Sequence, residues 1–296
     1  MSSVSNLIDG RAIAEQLHQE TAARITALTA RGVQPGLAFV RVGEDPASQV
    51  YVGMKEKVSK RLGIHSTTHV LSQHATQSEL LALLDRLNAD PAIHGILVQA
   101  PIPSHIDSSL VYRSVSPEKD VDGFHPMNVG KVLLGDDSAF VSCTPAGVHE
   151  LLIRSGVKLA GAEVVILGRG NIVGKPMASI LMQKSPHANA TVTVCHSSSR
   201  HVAETCRRAD VIVAAMGVAH FVKADMVHSG SVVMDVGVNR IADATTPSGT
   251  RLVGDVDFSS VQPKVRLITP NPGGVGPMTI AMLMRNTVRA AENLTH

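Results

Sequence analysis

Short, almost wholly apolar runs alternate with longer amphipathic stretches along this chain of 296 residues, and that alternation limits the fold more than any other feature. Residues 11–30 are amphipathic and end at Gly32, and Gly36–Val42 reads as a buried strand. Asp45-Pro46 places a capping residue before a proline at the first helical position, which predicts a helix from Asp45 to about Leu62, stopped by Gly63. A strand over 65–71, a helix over 77–87 and a strand over 93–98 follow. Residues 101–135, rich in Pro, Gly, Asp and Ser, predict a long loop. Thr144-Pro145 opens a further helix to about Arg154, and from Glu163 short strands restart over 163–167, 190–194, 211–214 and 232–236. The last helix, 278–291, begins at Pro277. Such βα repetition predicts an α/β fold with mostly parallel sheets and helices on their faces. Two α/β domains are expected: 1–142, completed by the returning C-terminal helix 277–296, and 143–276, a Rossmann-type doubly wound sheet.

Composition excludes several function classes. Seven aromatic residues and no Trp leave too few rings for a base-stacking nucleic-acid platform, and a net charge of +2 with no basic block gives no phosphate-tracking surface. No apolar run reaches the ~18 residues of a membrane span, and Met1 to Asn6 lack a signal core. Three cysteines without a C-x-x-C spacing argue against a disulfide framework or a zinc knuckle. The D-x-D-G of Asp120 to Gly123 lacks the remaining ligand positions of a calcium loop, so no metal is expected. These readings make a cytoplasmic protein the default.

Val164 to Leu167 run directly into Gly168-Arg169-Gly170-Asn171-Ile172-Val173-Gly174. A strand, then close-spaced glycines, then a helix is the phosphate-binding turn of a Rossmann unit, where backbone N–H groups approach a pyrophosphate. The next strand ends in Val194-Cys195-His196-Ser197-Ser198-Ser199-Arg200 without the acid that holds NAD ribose hydroxyls. His196, Ser197, Arg200 and Arg169 suit a 2′-phosphate, so NADP is favoured. The alternative is that the turn is a plain βα connection and that Ser197 to Ser199 cap the next helix.

In the first half, Val50, Met54, Val58 and Leu62 form one i, i+4 row expected to face the core. Ser48, Tyr51 and Lys55 lie on a neighbouring row. A lysine at the edge of a buried face is partly desolvated, which moves its pKa toward an acid–base range; the plain alternative is a solvated lysine. Gln99 follows a buried strand, at the carboxyl end where open α/β sheets bind ligands.

Taken in order, Tyr51-Val52-Gly53-Met54-Lys55, Leu97-Val98-Gln99-Ala100-Pro101, Pro117 to Gly123, Cys143-Thr144-Pro145, the glycine turn, Gly254-Asp255-Val256 and Thr269 to Thr279 make the chain similar to the bifunctional methylenetetrahydrofolate dehydrogenase/cyclohydrolase family over nearly its whole length. The resemblance implies two α/β domains with a cleft between them, in a homodimer, with tetrahydrofolate derivatives as substrates and NADP as cofactor. By that resemblance Lys55 is the general acid–base residue, Gln99 hydrogen-bonds it, Asp122 grips the pterin and Tyr51 stacks on the aminobenzoyl group. Ser48, Gly273, Gly274 and Pro277 join the substrate set, while Gly168, Arg169, Gly170, Ile172, Val173, Gly174, His196 and Ser197 hold the dinucleotide. The implied metabolism is one-carbon folate interconversion and, downstream, purine biosynthesis. Two positions depart from the family's habit: Gly170 stands where Ser is frequent, and Asn271 where Val is usual. A dehydrogenase without cyclohydrolase activity and a non-catalytic folate or nucleotide sensor are the rival readings. The poised amine of Lys55 argues against the sensor.

Overall fold

The computed structural model describes residues 6–246 and 249–295; of the leading segment read for a signal core, Met1 to Ser5 lie outside the described residues. The chain divides into two compact units, one of Glu15–Cys143 with Ile280–His296 and one of Met1–Ala14 with Thr144–Thr279.

The first of these is built on three parallel strands, β1 (Gly36–Val42), β2 (His65–Leu71) and β3 (Gly95–Val98), in the order β2-β1-β3. Leu37 of β1 stands opposite Ser66 on one side and Gly95 on the other. Its helices are most of α1 (Gly10–Thr29), then α2 (Pro46–Leu62), α3 (Gln77–Ala89), α4 (Ser108–Ser114) and α5 (Pro126–Leu134). Ala38, Val40 and Val42 of β1 join Ile96 and Val98 of β3 and Leu80, Leu83, Leu84 and Leu87 of α3 in one buried cluster. Aliphatic side chains each contribute about 1.5–3 kcal/mol on full burial, so a core of this kind holds with few rings, Tyr112 packing against it. The start of α2 follows its sequence: Asp45 accepts from the Ser48 amide at 2.7 Å, and Gly63 ends the helix at a left-handed φ of 82°.

Two expectations for this unit are overturned. Residues 101–135 are not one loop but carry α4 and α5. The residues that looked like loop formers are helix starters: Asp107 accepts from the Ser109 and Leu110 amides, and His125 accepts from Met127 N with Pro126 as the first helical residue. The second correction concerns the facing of α2. Val50 and Met54 are exposed, whereas Ser48, Val52 and Ser59 are buried and Lys55 lies on the same inward row. Spacings of four, three and four residues place 48, 52, 55 and 59 on one helix face, and that face is mostly polar.

The second unit opens with α6 (Cys143–Arg154) and continues through β4 (Glu163–Leu167), α7 (Gly174–Leu181), β5 (Thr191–Cys195), α8 (Val202–Arg207), β6 (Val211–Ala214) and β7 (Val232–Asp235). An antiparallel hairpin of β8 (Asn239–Ala242) and β9 (Thr250–Val253), the short α9 (Phe258–Val261) and β10 (Leu267–Ile268) lead to α10 (Val275–Leu294). The five parallel strands run in the order β10-β7-β6-β4-β5. From β4 the chain passes to β5 on one side and then to β6 on the other, a doubly wound topology whose strand order reverses at β4. β4, β6 and β7 are nearly continuous runs of buried Val, Ile, Leu, Met and Ala, as expected for strands covered on both faces. The hairpin and β10 lie beyond what the sequence pattern foretold.

Candidate active site

In the first unit the polar face of α2 meets the carboxyl end of β3. Lys55 Nζ donates to Gln99 Oε1 at 2.9 Å. Gln99 Nε2 donates to the Ala100 carbonyl at 2.7 Å, and that carbonyl also accepts from Ser48 Oγ at 3.2 Å. The amide of Gln99 is thereby oriented: its nitrogen is engaged with backbone, so its oxygen is what Lys55 meets. Burial pulls the Lys55 amine below the ordinary lysine value, while the nearby Asp122 carboxyl and Cys143 thiol pull it up. Burial pushes Asp122 above the ordinary carboxylate range, opposed by Lys55.

The turn carrying Asp122 is fixed from several directions. Asp120 accepts from the Phe124 and His125 amides at 3.1 and 2.8 Å and from Asn128 Nδ2 at 2.9 Å. Gly123 sits at φ 70°, and a Cβ there would lie 2.6 Å from the Ser142 nitrogen, so only glycine closes this turn. Asn286, on α10, donates to the Val121 carbonyl at 2.9 Å and the Val141 carbonyl at 3.2 Å. Three participants carried no assigned role in the sequence. The Cys143 thiol donates to the Val121 carbonyl at 3.3 Å and also interacts with Asp122; burial pushes it well above its ordinary value. Tyr112 packs edge-on against Phe124 with centroids 5.2 Å apart, and burial followed by the Asp122 charge pushes its phenol up. Asn286 is the third. Cys143 was visible as part of a motif, but nothing in the sequence pointed to Tyr112 or Asn286. Tyr51 lies one turn from Lys55 and is 38% exposed, its ring available to a ligand.

In the second unit a hollow of about 610 Å³ lies at the carboxyl ends of β4, β5 and β6. Gly168, Arg169 and Gly170 line it from the turn, Cys195, His196, Ser197 and Ser199 from the end of β5, and Ala215, Met216 and Val218 from the end of β6. Ile172, Val173 and Gly174 lie outside that lining, as does Arg200. Gly168, at φ 114°, has no room for a Cβ, which would meet the Ala215 carbonyl oxygen at 2.2 Å; one on Gly174 would meet the Gly168 oxygen at 2.1 Å. At Gly170 a Cβ meets nothing within 4 Å, so a side chain fits there and the departure from the family's Ser is not sterically enforced. Ser197 to Ser199 do not cap α8, whose N-cap is His201 at φ 56°; Ser199 Oγ instead accepts from the His196 amide at 2.9 Å. A glycine turn with Arg169, His196 and Ser197 in the same lining fits a dinucleotide phosphate.

Residues 8–122 match the tetrahydrofolate dehydrogenase/cyclohydrolase catalytic domain, and residues 142–295 match the NAD(P)-binding domain of the same family. The chain belongs to that family. It is 54% identical over 290 residues to the bifunctional protein FolD of Dehalococcoides mccartyi (strain CBDB1), covering 97% of each chain. Among solved structures it is similar to the bifunctional FolD methylenetetrahydrofolate dehydrogenase/cyclohydrolase of Campylobacter jejuni, with a TM-score of 0.91 and 46% identity over 97% of this chain and 98% of that one. The Trypanosoma brucei enzyme, complexed with NADP and an inhibitor, gives a TM-score of 0.92 at 38% identity over 98% of both chains.

The closing loop holds the remaining residues that the resemblance implies. Gly273 sits at φ 107° beside Arg11, and a Cβ on Gly274 would meet the Pro270 carbonyl oxygen at 2.5 Å. Pro277 is in the first turn of α10. Asn271 donates through its side-chain amide to the Gly237 carbonyl, so its polarity is engaged within the unit. No helix among the described residues is long and apolar enough to cross a membrane.

Proposed function

We propose that this chain carries out both reactions of its family. It oxidises 5,10-methylenetetrahydrofolate to the cationic 5,10-methenyl form with NADP+, and it hydrolyses that cation to 10-formyltetrahydrofolate. Lys55 held by Gln99 beside Asp122 is the observation that carries the reading. A binding module has no need of a desolvated amine, whereas the hydrolytic half-reaction needs a proton carrier.

A bound NADP+ would supply the hydride acceptor for the first step, and Arg169, His196, Ser197 and the Gly168–Gly170 backbone would hold it. That step asks the protein for positioning more than for proton transfer, and Tyr51 and Asp122 hold the folate for it. The second step uses Lys55. Its neutral amine takes a proton from the water that adds to the methenyl carbon. The resulting ammonium returns that proton to N5 as the carbon–N5 bond breaks, while the carbinol O–H proton leaves to solvent as the C=O forms, leaving the formyl group on N10 and one proton released overall. Gln99 Oε1 accepts one N–H of Lys55 throughout, which aims the remaining positions of Nζ at the substrate. Ser48 acts at one remove, through the Ala100 carbonyl it shares with Gln99.

On this reading Glu15–Cys143 with most of α10 is the folate unit and the remainder the dinucleotide unit. A homodimeric, cytoplasmic enzyme supplying one-carbon units, purine biosynthesis among their uses, is proposed on the same resemblance, and sedimentation equilibrium checks the dimer. The direct test mixes methylenetetrahydrofolate with NADP+ or NAD+ and follows reduced cofactor and formyl product together. Both products are expected, faster with NADP+. Reduced cofactor alone would establish a dehydrogenase without cyclohydrolase activity, and neither product would leave a binding protein.

A further inference from the structure

The Gly254-Asp255-Val256 motif has a place in the sequence pattern but no part in the chemistry above. Asp255 is fully buried, and both of its carboxyl oxygens are doubly engaged. Oδ2 accepts from the amides of Met216 at 2.6 Å and Gly217 at 3.0 Å. Oδ1 accepts from the amide of Val218 at 2.9 Å and from Asn239 Nδ2 at 2.8 Å. Three consecutive backbone N–H groups thus converge on one side chain, a nest that forms here because Gly217 adopts φ 70° between its neighbours. Met216 and Val218 line the dinucleotide hollow and Asp255 does not.

Asp255 is itself held by a second carboxyl group. Asp235, at the end of β7, accepts from the Asp255 amide at 2.9 Å, the Val256 amide at 3.2 Å and the Gly237 amide at 3.2 Å. Each acid passes over a glycine belonging to the other's segment. A Cβ on Gly254 would lie 1.6 Å from Asp235 Oδ2, and one on Gly237 would lie 2.1 Å from Asp255 Oδ1. Two Asp and two Gly therefore form a reciprocal lock beneath the loop that follows β6.

We propose that Asp255 is a positioning residue for the dinucleotide: by gathering the amides of Met216, Gly217 and Val218 it fixes the wall of the hollow on which the cofactor rests. The claim rests on the dinucleotide reading of that hollow and adds the residue that shapes it. Asp255→Asn is the sharp test. In either orientation its NH2 replaces an oxygen that accepts two hydrogen bonds, so two donors face a donor. The Kd for NADPH, read by fluorescence titration of the full chain, is expected to rise tenfold or more. The KM for NADP+ rises with it while kcat at saturation falls less, and hydrolysis of methenyltetrahydrofolate without dinucleotide stays at the wild-type rate. That last activity also reports that the variant is folded.

Gly217→Ala gives an independent variant if Asp255→Asn does not fold. Its Cβ meets nothing within 4 Å, so only the left-handed backbone is penalised and the nest loosens. A several-fold rise in NADPH Kd is expected, and Gly217→Asn, which tolerates positive φ better, recovers part of it. Folded Asp255→Asn or Gly217→Ala protein with wild-type Kd overturns the positioning role. A wild-type chain that binds no NADPH overturns the dinucleotide reading itself, and this one with it.

Discussion

The two units hold their functional groups by different means. In the first, side chains do the positioning: Lys55 on Gln99, Gln99 and Ser48 on one carbonyl, Asp122 between the bonds of Asp120 and Asn286. In the second, main chain forms the surface: Gly168 and Gly174 let main-chain segments approach to distances no Cβ survives, and the buried Asp235 and Asp255 hold its amides from behind. A surface made of side chains is sensitive to residue chemistry, whereas one made of backbone is sensitive to volume and φ and, at one remove, to the buried acids that hold its amides. The same conservative change should therefore act very differently in the two units.

The largest effect is expected at Lys55. Lys55→Met should lower methenyltetrahydrofolate hydrolysis by about 10²–10⁴-fold, the usual range for a lost proton carrier, while measurable hydride transfer remains. Equal loss of both activities with folate binding intact would remove the distinction between the two steps. Next comes Gly168→Ala, which forces an L residue to φ 114° against the Ala215 oxygen. Backbone strain alone costs about 1–3 kcal/mol, and NADPH affinity and Tm should both fall. Unchanged values would show that the turn gives way and that backbone precision is not what holds this site.

Asp122→Ala should weaken folate binding about tenfold or more, in line with about 1.5–3 kcal/mol for a hydrogen bond to a charged group; an unaltered folate Kd would take Asp122 out of the substrate set. A finer measurement is the pH profile of hydrolysis. If Lys55 acts as the neutral amine, the rate rises with pH through its pKa, below the ordinary lysine range because burial lowers it. Asp122 pulls that pKa up, so Asp122→Asn should move the rise to lower pH, and a move to higher pH would break the coupling. The smallest effect is expected at Gly170→Ala, where a Cβ meets nothing within 4 Å. Stability should change by no more than about 0.5 kcal/mol, and calorimetry beside Gly168→Ala compares two glycines of one motif.

Much of the sheet framework was legible in the sequence because buried strands are short apolar runs with glycine or proline at their ends; β1, β2, β4 and β6 occupy the residues expected of them. The helices α4 and α5 were not legible, since Asp107, His125 and Pro126 serve loops and helix starts alike. The facing of α2 was misread for an instructive reason. Hydrophobic periodicity assumes that the apolar row is the buried one, but here Val50 and Met54 face out while Ser48, Lys55 and Ser59 turn inward. A helix that delivers chemistry violates the rule that detects helices. The dinucleotide turn was visible through its glycines, but which of them sterics require was not, because that depends on Ala215, a residue more than forty positions away.

Asn286 ties the C-terminal helix to the turn that carries Asp122. On the ribosome the order of synthesis then matters. The strands and helices of residues 15–143 emerge long before residue 286, separated from it by nearly the whole dinucleotide unit. At about 5–20 residues per second the wait from Asp122 to Asn286 is roughly 8–30 s. During that interval the nascent first unit lacks one of its own pieces, and the Val121 and Val141 carbonyls await the Asn286 amide. The second unit, Met1–Ala14 with Thr144–Thr279, has all of its residues in hand first, so the turn that carries Asp122 is among the last parts of the chain able to reach its finished form.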